Sequence, residues 1–541
     1  MAETRVAQCY LDPKTGHGPF LHDPNAAPAN ILLVTVDMVP PEFMLRERSQ
    51  YPARTPGLDR LARDGLFFPN TFATSPLCTP SRAAYLTGRH SYITSNGERG
   101  HDGHTVHVRE GDSLFPEYIK AAGYHARHAG KCHVGAGRFL RIFGENDAPW
   151  DRWSPPWYDD EQYLGFLHAQ GLERFEFARS INGRSPAGEG EGNFYGGWIA
   201  PQKGRIFPKQ ATYPAYLVER AISLLDRRPG GNQPFYLQLD FFAPHQPFAI
   251  PGGMEERERE IRARLELPRS YRELAEAGFR APWPEPRVYR LYRRNWGLSD
   301  PGAMQEYRVA NQLQFELLDE LLGRLISYLE RQDLYDSTWI AFCPDHGEMN
   351  GELGLVDKGA FLHPRVTRAP LIIKAPAGFP GFSRGLTVEA PCSLLDIAPT
   401  LLGAVGVTVP GRQDGVSLLA TAAGESRPAN KPIVFEVWNH VVPNPCVGTV
   451  FSAADGQMYS YVYNATDDLD ELYCLNTADE HRNCIADPAQ DEVRVEALRC
   501  LAERMEADPR WFGYSQYLKL EHAELLPAGS GDRQLFLGRD T

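Results

Sequence analysis

The sequence predicts an α/β protein, a mostly parallel sheet flanked by helices, with a smaller α+β portion at its C-terminal end. Three observations carry this. Short apolar, β-branched runs end abruptly on carboxylates or histidines, as buried parallel strands do. Amphipathic helical stretches separate those runs, and near residue 430 the pattern shifts to shorter strand-like segments. Such alternation places helices on both faces of the sheet and ligands beyond the carboxyl ends of its strands.

The elements follow in order. ILLVTVD (31–37) is a buried strand that stops on Asp37. TPGLDRLARDG (55–65) starts a helix with Thr55 as N-cap and Pro56 at the first helical position, and sets Leu58 and Leu61 on one face. YPAYLVERAISLLDRRPG (213–230) repeats the logic with Val218, Ala221, Ile222 and Leu225, and Pro-Gly stops it. PFYLQLDFFAPH (234–245) is a strand ending at His245. From Ala303 to Leu329 one helical stripe carries Leu317, Leu321, Leu325 and Leu329, and STWIAFCPDHGE (337–348) is a strand ending at Asp345 and His346. APLIIKAP and SLLDIAPTLLGAVGV continue the pattern. KPIVFEVW, MYSYVY and the helical EVRVEALRCLAERM then form the smaller portion, which gives a division into residues 1–430 and 431–541. The Glu- and Arg-rich stretch from Glu255 to Trp283 reads as a solvated helical insertion.

Composition narrows the function. With 56 Lys+Arg against 69 Asp+Glu the net charge is −13, which disfavours nucleic acid and anionic membranes as partners while leaving a local cationic pocket for a small anion. Nine cysteines, an odd number without a CxxC pair, read as a reducing compartment. No stretch approaches the roughly 20 apolar residues of a membrane helix, so the expected location is the cytoplasm. The C-terminal HAELLPAGSGDRQLFLGRDT is a candidate for packing in a homo-oligomer.

Cys78 is the informative cysteine. Pro76, Pro80, Ser81 and Arg82 are poor company for a core residue, and only three residues separate it from Arg82, too few for the amide loop of a thiolate phosphatase. A cysteine protease would need a histidine base and an oxyanion hole, which the residues themselves leave open. CTPSRAAYLTGRH (78–90), together with NILLVTVD, TPGLDRLARDGLFF, AAGYHARHAGKCHVG, FFAPHQPF, PDHGEMNGELGLVDKG, LLDIAPTLL, DGVSLL and DELYCLNTADEHRN, resembles the formylglycine-dependent sulfatases segment by segment and in order.

That resemblance implies the alkaline-phosphatase-like fold and hydrolysis of sulfate monoesters, aryl sulfates foremost. It also implies oxidation of Cys78 to formylglycine by a formylglycine-generating or equivalent maturation enzyme. The chemistry fits: a hydrated aldehyde offers one hydroxyl to attack sulfur and a second whose deprotonation expels sulfate. The resemblance further implies one divalent ion on Asp37, residue 78, Asp345 and His346. Met38 stands where many members carry a second Asp or a Gln, and a thioether is a poor ligand for a hard cation, so manganese competes with calcium, and magnesium is a further candidate. By the same resemblance Arg82 holds the hydrate, Lys131 stabilises its oxyanion and His133 takes the proton that starts aldehyde recovery. His245 and Lys358 contact the sulfate and assist the leaving oxygen.

Asn96 either holds a sulfate oxygen or forms a turn. His101, His104 and His107 suggest a pocket rim or a solvated loop, and Trp150, Trp153 and Trp157 an aryl pocket or an aromatic-anchored loop. Two rival functions stand beside the leading one. A phosphonate monoester or phosphodiester hydrolase of the same fold would also use formylglycine, and a catalytically silent metal-binding member would explain Met38.

Overall fold

The computed structural model describes residues 29–45, 49, 51–91, 108, 111–144, 149–183, 193–230, 233–409, 413–422, 432–465 and 469–506. Asn96, the three histidines at 101, 104 and 107, and the C-terminal segment considered for oligomer packing lie outside these residues. Seven strands form the central sheet: β1 (Asn30–Asp37), β2 (Leu66–Phe68), β3 (His125–Gly130), β4 (Phe235–Pro244), β5 (Thr338–Pro344), β6 (Leu371–Lys374) and β7 (Leu386–Thr387). Their spatial order is β7-β2-β6-β5-β1-β4-β3. β1 lies between β5 and β4, parallel to both, and β3 extends the parallel set beyond β4.

β6 departs from the expected pattern, running antiparallel to both β5 and β2. It is reached from β5 through loops and the short Pro364–Thr367 helix, and an antiparallel neighbour needs no long helical crossover.

The period-two alternation of β1 divides the core. Leu32, Val34 and Val36 face a layer built from the Pro56–Asp64, Tyr213–Asp226 and Pro301–Arg331 helices, with Leu317, Leu321, Leu325 and Leu329 all buried there. Ile31 and Leu33 face the Phe115–Ala121, Ala136–Phe143 and Ile397–Ala404 helices on the other side. One local expectation changes: Thr55 occupies the N-cap position but makes no side-chain capping bond. The carboxylate of Asp319 accepts the Gly57 and Leu58 amides instead, each at 2.8 Å, so the long helix caps the short one packed against it.

A four-stranded antiparallel meander, β8 (Ile433–His440), β9 (Val442–Ser452), β10 (Met458–Asn464) and β11 (Glu471–Cys474), follows. The Asp491–Glu506 helix covers one face through Ala497, Leu498 and Leu501. The other face packs on Tyr289, Tyr292, Phe361 and Leu362 of the larger portion. The acidic and basic insertion is helical, Glu255–Arg264 burying only Ile261, and Arg269–Glu276 burying Ser270, Tyr271 and Leu274. A small sheet of Phe177–Asn182, Phe194–Ile199 and Phe248–Ile250 was not apparent from the sequence. No helix among the described residues is long and apolar enough to cross a membrane.

Candidate active site

Adjacent parallel strands deliver the site. Asp37 ends β1, Asp345 and His346 follow β5, His245 follows β4 and Lys131 follows β3. Gly130 makes the last position possible: its φ is +107°, and a Cβ there would lie 1.9 Å from the Asp240 carbonyl oxygen. The chain can therefore turn against β4 and aim Lys131 inward. The Cys78–Thr87 helix closes the site, all ten of its residues buried, and Gly88 at φ +66° ends it. Ser81 Oγ donates to the Asp345 carbonyl at 2.5 Å and fixes this helix to the end of β5.

Cys78 opens the helix, where the unpaired amides and the helix dipole favour negative charge. Its Sγ lies 3.5 Å from Asp37 Oδ1 and 3.3 Å from His346 Nε2. One ligand atom from each of Asp37, Cys78, Asp345 and His346 falls within 4.8 Å of all the others, and the four residues are fully buried. Burial opposes the thiolate, but Lys131, Lys358 and His346 hold the Cys78 thiol well below the usual range. Burial and the Cys78 charge likewise oppose ionisation of Asp37, yet Lys131, His245 and Arg82 keep its carboxyl low. Burial and the neighbouring Asp37 charge push Asp345 up. Two carboxylates, an imidazole and residue 78 converging in a buried cluster are a donor set that fits a divalent cation.

Met38 contributes through its backbone. Its N–H donates to Asp345 Oδ1 at 3.1 Å, and it holds φ +59°, a conformation that Asn and Asp tolerate better than Met.

The predicted cations converge. With residue 78 as cysteine, Arg82 Nε donates to Asp345 Oδ2 at 3.0 Å, its Nη1 donates to the Lys131 carbonyl at 3.2 Å, and its Nη2 lies 3.8 Å from Asp37 Oδ2. Four residues along the helix from Cys78, the guanidinium reaches the carboxylates of Asp37 and Asp345 and ties them to the helix. Lys131 Nζ donates to Asp37 Oδ2 and, at 3.2 Å, to the Trp153 carbonyl. His133 shares a hydrogen bond with Cys78, and burial and the Lys131 charge lower its pKa. Lys358 Nζ lies 2.6 Å from His245 Nε2 and 3.2 Å from Asp357 Oδ1. His245 Nδ1 sits 2.5 Å from the Gln246 carbonyl, which fixes the proton on Nδ1 and leaves Nε2 to accept from Lys358. The two predicted leaving-group residues are thus one hydrogen-bonded unit.

Several members were missed in the sequence. Asp240 accepts from Thr35, from Gln238 Nε2 at 2.6 Å and from His128 Nε2, and stands 3.6 Å from Arg82 Nη1. An acid inside an otherwise apolar strand was the available signal. Glu348 accepts the Asp357 amide at 2.6 Å with Tyr307 and Asn311 behind it, and burial pushes its carboxyl up to about 8. Asp357, held below the carboxylate range against burial by Lys358, also accepts from Gln246 Nε2 at 2.7 Å. His440, the last residue of β8, stacks on Tyr292, which lies 3.1 Å from its Nδ1, and carries the C-terminal sheet toward Lys358.

The tryptophans separate. Trp157 is core, Trp150 bridges to Lys131 through the backbone, and Trp153, 49% exposed, lies with its ring 5.7 Å from that of His245.

Comparison with known proteins matches the sulfatase family profile over residues 29–407 and the profile described as N-sulphoglucosamine sulphohydrolase, C-terminal, over residues 351–507. The uncharacterized sulfatase YidJ of Escherichia coli is 27% identical over 377 residues, 68% of this chain and 66% of that protein. The multifunctional alkaline phosphatase superfamily protein PehA of Trinickia caryophylli is 27% identical over 514 residues, 88% of this chain and 95% of that protein. Among solved structures, the phosphonate monoester hydrolase SpPMH of Silicibacter pomeroyi superposes with a TM-score of 0.64 at 20% identity, covering 88% of this chain and 95% of that one.

Proposed function

The chain belongs to the sulfatase family, and from that premise we propose that it hydrolyses sulfate monoesters, aryl sulfates foremost, with residue 78 carried as formylglycine. The observation that carries the reading is Cys78 at the first turn of a buried helix, within 3.5 Å of Asp37 and 3.3 Å of His346, with Lys131, His133 and Lys358 acting on the same atom. In the formylglycine form the Sγ position is taken by the oxygens of a hydrated aldehyde.

Asp37, residue 78, Asp345 and His346 would hold one divalent ion. When bound, the ion supplies positive charge that favours the ionised hydroxyl of residue 78 and neutralises the ester oxygens. Three donors of the chain besides residue 78, one of them an imidazole, together with the missing acid at Met38, favour manganese at least as well as calcium. Arg82 keeps Asp345 oriented, and Lys131 adds a fixed cation beside residue 78. His133, neutral in its buried position, accepts the proton whose loss releases sulfate. On the far side Lys358, through or beside His245, meets the charge that builds on the departing oxygen.

The exposed Trp153 ring beside His245 supports an aryl leaving group. The free thiols of the described cysteines support residence in a reducing compartment, the cytoplasm.

Phosphonate monoesters are the second reading, favoured by the superposition on the phosphonate monoester hydrolase SpPMH over 95% of that chain. Parallel kinetics on 4-nitrophenyl sulfate and 4-nitrophenyl phenylphosphonate, with formylglycine content measured by peptide mass spectrometry, test the choice. We expect kcat/KM for the sulfate to exceed that for the phosphonate by at least about tenfold, with the phosphonate a measurable side substrate. The reverse order would replace the sulfatase reading, and converted, metal-loaded protein inactive on both would leave the silent metal-binding alternative.

A further inference from the structure

A cleft of about 880 Å³ lies against the Arg287–Trp296 helix, and its lining is unusual for a chain of net charge −13. Four guanidiniums, Arg280, Arg290, Arg293 and Arg294, reach it with the aromatic rings of Phe279 and Trp283. Its one carboxylate, Glu285, has a side chain only 6% exposed and is engaged by Arg293, which also donates to the Leu353 carbonyl at 3.0 Å. That pair cancels. Arg280, Arg290 and Arg294 are exposed, and none of them forms a close ion pair among the described residues, although the Arg290 charge also acts on Glu285. Trp283 sits in Ala-Pro-Trp-Pro-Glu-Pro, where the three prolines restrict the backbone and present a half-buried ring at little further entropic cost.

We propose that this cleft is a second binding site, separate from the catalytic centre, for a ring-bearing polyanion with the chemistry of a sulfated saccharide. The inference rests on the sulfate chemistry proposed above. Guanidinium forks pair with sulfate oxygens in bidentate fashion, and the flat faces of Trp283 and Phe279 take the apolar face of a ring. Nucleic acid is a poorer match, because the rest of the acidic surface repels a long phosphate backbone. The helix connects the two sites. Arg290 and Arg294 share its outer face, whereas Tyr292 turns the other way to contact His440 and to accept the Ala360 amide at 2.9 Å, beside Lys358. The Arg287–Trp296 helix thus has the cleft on one face and the contacts of Tyr292 on another. The occupant is either a remote part of the substrate itself or a separate effector of the same chemistry.

Sucrose octasulfate serves as the probe, its binding measured by titration calorimetry on the full chain. Arg290→Glu/Arg294→Glu should weaken binding at least about tenfold, and Trp283→Ala should weaken it as well, with hydrolysis of 4-nitrophenyl sulfate within about twofold of wild type. Competitive inhibition of that hydrolysis by the octasulfate, lost in the double variant, identifies the cleft with an extension of the substrate. Binding without competition identifies a separate effector. Undiminished binding in Arg290→Glu/Arg294→Glu overturns the proposal, as does an equal loss in the control Arg227→Glu/Arg331→Glu, whose exposed arginines lie elsewhere. Should the protein bind the probe through these residues yet hydrolyse no sulfate ester, the function proposed above fails while the binding site stands.

Discussion

Glu471 in the C-terminal sheet and Asp345 at the end of β5 are both carboxylates without exposed surface, and their surroundings differ in kind. Glu471 is saturated: Tyr289 donates to it at 2.5 Å, Tyr473 donates as well, and Asn464 Nδ2 donates at 3.0 Å. Every bond closes within the cluster, and burial leaves its pKa raised. Asp345 instead shares its pocket with a second carboxylate, Asp37, and with the Cys78 sulfur and His346, all crowded around one point. The first arrangement holds two packed layers together. The second keeps two carboxylates close with Arg82 and Lys131 against them, an arrangement suited to the cation and reacting anion proposed above.

The contrast breaks most readily at Asp345. Asp345→Ala should lose bound metal, measured by elemental mass spectrometry, together with about 10³-fold or more in kcat/KM, because it removes a charged ligand and the anchor of Arg82. Full metal content in that variant would place the ion elsewhere.

The leaving-group pair sharpens the comparison next. His245→Ala and Lys358→Ala should each slow esters of high-pKa phenols by about 10²-fold while sparing nitrophenyl esters. The double variant should be little worse than either single one, since the two side chains act through one hydrogen bond. Independent, multiplying losses would show that each residue acts alone, contrary to the 2.6 Å contact.

Acid should attack the other region. His363, buried between Tyr289 and Tyr473, has its pKa lowered to about 4 by burial. An unfolded-chain histidine titrates near 6.5, so between these values the unfolded state binds more protons and stability rises with pH. The contribution is complete above about pH 6.5 and is lost as pH falls toward 4, on the order of 3 kcal/mol for this residue. His440 shifts in the same direction. His363→Gln should flatten denaturant midpoints measured across that range.

The smallest effect belongs to Glu471→Gln, which keeps the shape but weakens the bonds from Tyr289 and Tyr473. It should cost about 1–3 kcal/mol of stability with kcat unchanged. A large loss of kcat there would erase the distinction between the two clusters.

What the sequence discloses follows the range of the interactions. Asp37, His245, Asp345 and His346 were legible because each directly ends a strand whose apolar run is visible. Lys131 needed the family motif, because its strand, HARHAG, mixes charged with small residues and lacks an apolar signature. Asp240, Glu348 and His440 were not read as site residues, since Thr35 and His128 lie more than 100 residues from Asp240, Tyr292 lies as far from His440, and the partners of Glu348 include side chains about 40 residues earlier. The same distance hid the capping of residues 57 and 58 by Asp319. Strand direction is equally non-local, and LIIK reads identically whether it runs with or against its neighbours.

The helix that opens with Cys78 has all ten residues buried, and Cys78 itself has no accessible surface. A second protein cannot reach such a side chain once the sheet has closed over it. If residue 78 is carried as formylglycine, as proposed above, its oxidation belongs to the interval before the chain folds, as a step in biosynthesis. On that reading, molecules that fold first would stay as thiols, so the active fraction of a preparation would record a race between oxidation and folding.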